Sequence, residues 1–300
     1  MKKFGLIGKD IRHSGSPELF REAYGEAWPY DLLEGSSFET LWRKFLNEYD
    51  GVNITAPFKE DAWAQVAALA KDGLGSLSGP ALRCGAINIA AKDPRTGSIH
   101  GDNSDFYAVI MCIAEVCFPG IVEEFRETFG RDYIIKIHQF FLAKAADSVF
   151  HKQPKALVAG CGGTGKAAAV AAAELGFSVM LSNRTIERAA SFSMDVSQYS
   201  IAVCPAELLN HAVREADVIV YTASGVLDGL TSLKSEDFRS PKTGRPKIIL
   251  ESNYFNPSFS GELLSSALEA GVDYISGQSW LRAQALAGYP ILTGTEPDSL

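Results

Sequence analysis

Two groups of residues in this sequence could do chemistry. In the first, Gly160, Gly162 and Gly165 fit G-x-G-x-x-G, with Gly163 inside the same turn. The turn follows the apolar run KALVAG and opens the Ala-rich stretch KAAAVAAAELG. A strand that turns on glycines into a helix offers backbone N–H groups and the positive helix end to a pyrophosphate. The next apolar run, FSVMLSNR, ends in Asn183-Arg184-Thr185, with Arg188 one turn further on. An acidic residue there would hold the 2′-hydroxyl of NAD and repel a 2′-phosphate. An Asn with two arginines does the reverse, because guanidinium forks bind phosphate oxygens. The pattern predicts NADP over NAD.

The second group is four short polar pieces, each placed where an apolar run ends: His13-Ser14-Gly15-Ser16-Pro17, NITAPFK from Asn53 to Lys59, Gly85-Ala86-Ile87-Asn88, and Gly101-Asp102-Asn103-Ser104-Asp105. Ligands of open α/β sheets bind at the carboxyl ends of strands, so pieces distant in sequence can converge. Ser14 and Ser16 at a helix N-terminus suit a carboxylate. Asn53, Asn88, Lys59 and Asp105 offer donors and acceptors for vicinal hydroxyls. Singly, each has a plainer explanation. Ser16 reads as an N-cap with Pro17 at the first helical position. Asn88 reads as a turn residue, Asp105 as the cap of a helix beginning near it, and Lys59 as a solvated lysine. Together, beside a dinucleotide turn, they point to a ligand site.

The elements that must position these residues alternate between strand and helix. Strands are expected at 4–8, 29–35 and 51–55, and helices at 16–27, 38–49 and 59–70. Residues 85–103 read as a hairpin with Asp-Pro and Thr-Gly in its loop. From 155 a second βαβ series follows, with strands at 177–184, 216–223 and 247–252 and a last helix at 276–294. The expectation is an α/β fold: an N-terminal domain with a mostly parallel sheet, then a Rossmann-type NADP-binding domain, with a cleft between them. The boundaries read as 1–107 for the substrate domain, completed by 275–300, then 108–154 as a helical linker or insertion, and 155–274 for the NADP domain.

Composition narrows the class. The 300 residues suit about two domains, and 46% hydrophobic with 21% charged residues is an ordinary globular balance. A net charge of −8 disfavours nucleic acid and anionic membranes as partners. The five cysteines include no C-x-x-C pair, and no apolar run approaches a signal peptide or a membrane span, so a cytoplasmic protein is expected. The five histidines form no metal-binding pattern, so no metal is expected. The expected partner is a small molecule, and the chain is expected to be a monomer or homodimer.

The stretches GLIGKDIRHSGSP, GVNITAPFKE, GAIN, GDNSD, VAGCGGTGKAA with SNRT, and GQSWLRAQ occur in an order and spacing that resemble the shikimate dehydrogenase family, over most of the chain apart from roughly 115–154. The resemblance implies NADP-dependent, reversible reduction of 3-dehydroshikimate to shikimate. By motif, it implies that Lys59 and Asp105 form the catalytic pair and that Ser14 and Ser16 bind the substrate carboxylate. Asn53, Thr55, Asn88 and Gln284 would hold or flank the ring hydroxyls, Tyr254 in ESNYFNP would lie near the carboxylate, and Gly277 would join the cofactor set. The chemistry suits the pair. A hydroxyl losing hydride from its carbon must also lose a proton, and the reverse reaction needs a proton and a positive neighbour at the carbonyl oxygen.

Several positions depart from the family pattern. Phe106 stands where a small residue is usual, Ile89 where Thr is usual, and Trp280 where Met is common. The strand ending VIVYTASG lacks the usual Asn-Thr, and 118–152 is an insertion. Quinate or an aminoshikimate remains an alternative substrate. A catalytically silent cofactor-binding regulator and a methylene-tetrahydrofolate dehydrogenase are the other readings. The Lys59, Asp105 and Gln284 set weighs against the first, and Ser14, Ser16 and GDNSD against the second.

Overall fold

The apolar run FGLIG forms β1 (Phe4–Gly8), buried along its whole length, as a strand covered on both faces must be. The computed structural model describes every residue except 149, 151, 152, 228, 229 and 241–243. It divides into Met1–Asp105 with Arg282–Leu300, and Phe106–Leu281.

In the first unit β1 pairs in parallel with β2 (Tyr30–Glu34) and β3 (Gly51–Ile54). The crossovers are α1 (Ser16–Tyr24) and α2 (Phe38–Glu48). The chain continues through α3 (Lys59–Lys71), β4 (Gly75–Leu77), α4 (Gly79–Cys84), β5 (Ile89–Lys92) and β6 (Ile99–Asp102). The sheet order is β2-β1-β3-β5-β6-β4. β5 runs antiparallel to both neighbours, and β4 returns parallel to β6. The β5–β6 hairpin closes where Asp93 Oδ1 accepts the backbone N–H groups of Arg95 and Thr96 at 2.7 and 3.0 Å.

Phe38, Leu41, Trp42 and Phe45 of α2 pack with Val52, Ile54 and Phe58 in one core cluster. A separate aromatic stack joins Phe4 and Phe20 to Tyr24, Trp28, Tyr30 and Tyr289. The start of α1 differs from expectation. Gly15, not Ser16, is the N-cap, because the first helical hydrogen bond runs from Leu19 N to Gly15 O, and Ser16 N donates instead to Ser14 Oγ.

The second unit takes over α5 (Ser104–Cys117) at Phe106 and adds α6 (Ile121–Phe129) and α7 (Tyr133–Ser148). The segment expected as a linker packs on this unit: His138 Nε2 lies 2.9 Å from Glu174 O, and the Phe141 and Phe177 rings are 6.4 Å apart. β7 (Lys155–Ala159), α8 (Gly163–Glu174), β8 (Ser178–Ser182), α9 (Ile186–Asp195), β9 (Ile201–Cys204), α10 (Leu209–Glu215), β10 (Val218–Tyr221), β11 (Ile248–Glu251), α11 (Gly261–Glu269) and β12 (Asp273–Ile275) follow. The final helix, α12 (Gly277–Thr293), passes into the first unit at Arg282. All pairings in this sheet are parallel, and its order, β12-β11-β10-β7-β8-β9, is that of a Rossmann fold. The fold is α/β, with a mostly parallel first sheet. No single described helix is long and apolar enough to cross a membrane.

At the foot of β11, Lys247 is fully buried and its ammonium donates to the carbonyl oxygens of Arg214, at 2.8 Å, and Ala216. Burial pushes it from 10.5 down to about 8, against the pull of Asp217, Glu215 and Asp237. Between those two pH values the unfolded chain holds this proton and the folded chain does not, so stability rises with pH across the window and falls as pH drops through about 8. Urea midpoints measured from pH 7 to 11 are expected to show this rise in the wild type and to lose it in Lys247→Met; parallel curves would contradict the assignment.

Candidate active site

β3 ends at Ile54, and a short turn carries the chain into α3. Thr55 N donates to Ile7 O at 2.9 Å, Phe58 N donates to Thr55 O at 3.0 Å, and the Ala56–Pro57 peptide between them is cis. Lys59 is therefore the first residue of a helix anchored to the sheet, not a free surface residue. Its ammonium lies 2.5 Å from Asp105 Oδ2; Lys59 is 8% exposed and Asp105 0%. Asp105 sits in the first turn of α5, where the helix dipole favours a carboxylate. Its other oxygen, Oδ1, accepts from Gln284 Nε2 of α12. Residues from three elements distant in sequence thus meet at one carboxylate, and Lys59, Asp105 and Gln284 all lie in the first unit.

The Gly85–Asn88 strip sets their register. Ile87 N donates to Lys59 O at 3.0 Å, Asn88 N to Asp102 O at 3.0 Å, and Ile54 N to Asn88 O at 2.9 Å. The Asn88 side chain is buried and caps α5: Oδ1 accepts Ser104 N at 2.7 Å, and Nδ2 donates to Ser104 Oγ at 3.0 Å. Asn53 Oδ1 accepts from Tyr30 Oη at 2.9 Å, and its Nδ2 donates to Asn88 O at 3.3 Å. Both amides thus keep one N–H beyond these bonds. Thr55 is half-buried at the strand end, and its methyl lies where a Cβ on Gly8 would come within 2.6 Å. Ser14 and Ser16 bring their hydroxyl oxygens within 3.1 Å of each other at the head of α1.

Tyr254 and Gly277 belong to the second unit, Ser14 and Ser16 to the first. A Cβ on Gly277 would lie 2.4 Å from Tyr254 N, so tight packing already explains that glycine. The loop carrying Tyr254 is held by Glu251, whose carboxylate accepts Asn253 N, Ser258 N and Phe259 N at 3.0, 2.8 and 3.3 Å. Burial raises the Glu251 pKa, opposed by those backbone donors.

The glycine turn has two tight positions and one open one. Gly160 has φ +107°, and a Cβ on Gly165 would fall 1.9 Å from Gly160 O. That contact is the close approach of helix to strand. At Gly162 a Cβ would meet nothing within 4 Å and φ is an ordinary −82°. Among the described residues no neighbour requires glycine there, whereas a phosphate resting on the backbone would. Gly163 starts α8 behind it. Asn183 braces the turn: Oδ1 accepts Cys161 N at 3.0 Å and Nδ2 donates to Thr185 O at 2.8 Å. Thr185 is the N-cap residue of α9. Arg184 and Arg188 are exposed, and Arg184 reaches Ser224 O at 3.1 Å.

Sequence reasoning had no role for Tyr30, Ser104 or Glu251. A tyrosine in an amphipathic strand carries no mark of its partner. Glu251 did leave a signal, a carboxylate closing the apolar run KIILE.

Residues 6–90 match the family model for the shikimate dehydrogenase substrate binding domain, and residues 142–250 the model for shikimate / quinate 5-dehydrogenase. A shikimate dehydrogenase (NADP(+)) of Acinetobacter baumannii is 26% identical over 99% of this chain and 97% of its own length. A pentafunctional AROM polypeptide of Schizosaccharomyces japonicus is 27% identical over 98% of this chain, which spans 17% of that protein. Among solved structures, a Thermus thermophilus shikimate 5-dehydrogenase in complex with NADP(H) and shikimate aligns with a TM-score of 0.67 at 24% identity, covering 99% of this chain and 95% of that one. A Corynebacterium glutamicum quinate dehydrogenase in complex with NAD gives a TM-score of 0.70 at 21% identity, with 99% and 95% coverage. At these identities the two structures show the fold.

The glycine geometry gives a stability test. Gly165→Ala should destabilise the chain by about 1–3 kcal/mol, as overpacking does, while Gly162→Ala should cost under about 1 kcal/mol as a cap change. Thermal unfolding of both variants checks the order, and equal losses would contradict it.

Proposed function

We propose that this chain, which belongs to the shikimate dehydrogenase family, interconverts 3-dehydroshikimate and shikimate with NADP. The observation that carries the reading is the buried Lys59–Asp105 pair with Gln284 on its second oxygen. The first unit is the substrate domain and the second the NADP domain.

Ser14 and Ser16 take the substrate carboxylate, using two hydroxyls at the positive end of α1. Asn53 and Asn88 each give a ring hydroxyl their remaining N–H, and Thr55 and Gln284 flank the ring. Lys59 and Asp105 act at the reacting hydroxyl. As hydride leaves its carbon, the pair draws off the hydroxyl proton; in reverse, the Lys59 ammonium stabilises the developing charge on the carbonyl oxygen and the pair returns the proton. Gln284 holds the Asp105 carboxylate, and the carboxylate holds the ammonium, so little reorganisation is needed during the step.

The second unit fits a dinucleotide. The open backbone at Gly162 and the α8 N-terminus would hold the pyrophosphate, and Arg184, Arg188 and the 183–185 loop would hold a 2′-phosphate. Bound NADP supplies the hydride acceptor. Asn183 contributes by bracing the turn, and Gly277 by allowing α12 to start against the 253–254 backbone.

Initial rates with shikimate and with quinate, each with NADP and with NAD, test the reading. Shikimate with NADP is expected to give the highest kcat/KM; activity on neither acid with either cofactor would contradict it. Lys59→Ala is expected to lower kcat by about 10² or more with NADPH affinity kept. A near-normal kcat would remove Lys59 from the reaction.

A further inference from the structure

The residue between Asp102 and Ser104 has a side chain with two jobs. Asn103 is fully buried, and its Oδ1 accepts Asp105 N at 3.1 Å. That is an ordinary N-cap bond, which Ser, Thr or Asp would also make. Its Nδ2 donates to Ala86 O at 2.9 Å. Carrying an acceptor and an N–H donor on one short side chain is particular to an amide. The choice of Asn at this cap therefore reports the second bond.

That second bond lands on an informative peptide unit. The carbonyl of Ala86 and the N–H of Ile87 belong to one peptide plane, and Ile87 N donates to Lys59 O at 3.0 Å. One rigid plane thus joins the backbone of Lys59 to the Asn103 amide, and the amide joins it to the backbone of Asp105. The Lys59–Asp105 ion pair closes the circuit through the side chains. All its members lie in the first unit.

We propose that Asn103 is a positioning residue for the Lys59–Asp105 pair, registering the two backbones through the Ala86–Ile87 peptide; this rests on the pair being catalytic. The clamp fixes the distance from which two flexible side chains reach each other. Without the Asn103 donor the cap survives and Asn88 still holds Ser104, but the Ala86–Ile87 peptide that carries Lys59 O loses its direct bond to the α5 start, and a misplacement of order 1 Å is enough to cost about 10²-fold in rate.

Asn103→Ser, Asn103→Asp and Asn103→Ala separate cap from clamp. Ser and Asp keep a cap acceptor, and neither offers the amide donor; Ala keeps neither. The expected result is a kcat at least tenfold below wild type in all three, with an unchanged KM for NADP and a displaced kcat–pH profile, while Tm falls further in Asn103→Ala than in Asn103→Ser, because all three strand Ala86 O and only Ala also loses the cap. Asn103→Asp matches the original in size and carries the comparison should Asn103→Ser not fold. A folded Ser or Asp variant with wild-type kcat and pH profile would overturn the clamp and leave the reaction standing. A wild type inactive on every acid would remove both.

Discussion

A buried ammonium against a buried carboxylate is expensive in desolvation, and removing either partner strands the other charge. The first unit is organised around meeting that cost at Lys59 and Asp105. The contact is 2.5 Å, Gln284 takes the second carboxylate oxygen, and Asp105 lies in the first turn of α5, where the helix dipole opposes the loss of water. None of these arrangements is local. α3, α5 and α12 must all arrive at one point, and the 85–88 strip, bonded to Lys59, to Asp102 and to Ile54, brings the first two there. A rigid polar group of this kind is what stabilisation of a developing oxyanion requires, because donors already in place need not reorganise as charge moves.

On the proposed reading the second unit solves a different problem, holding a pyrophosphate with backbone and a 2′-phosphate with side chains. Its glycines divide the labour. Gly160 and Gly165 let strand and helix touch, while the backbone at Gly162 stays open. Asn183, which sequence reasoning assigns to the cofactor, also has a structural part in the turn. Its oxygen and one of its two N–H groups brace the turn against the next loop, beside the exposed Arg184 and Arg188.

Much of this was legible in the sequence. β1 and the start of α3 fall where periodicity and Pro57 place them, and the Rossmann turn was readable because glycine spacing is a local constraint. β4, α4, β9 and β12 were not. Three of them are three- or four-residue strands and α4 is six residues long, too short to show a period; the strands form because neighbouring strands offer free backbone groups. Within the candidate site, residue types were legible but partners were not. GAIN and GDNSD identify Asn88 and Asp105, yet nothing in either stretch says that Asn88 caps α5 or that Ser16 yields the α1 cap to Gly15. The Asn88 bond joins residues 16 apart in the chain, and the α1 cap is settled by which of two adjacent residues takes the helical carbonyl bond; only the folded backbone sets either.

The central claim is that Lys59 and Asp105 act on the reacting oxygen as one unit. Single-turnover hydride transfer in Lys59→Ala, Asp105→Asn and the double variant tests it most directly, because residues that work as a unit lose their effect together. The account predicts a double variant no slower than the slower single variant. Losses that multiply across the two positions would contradict it.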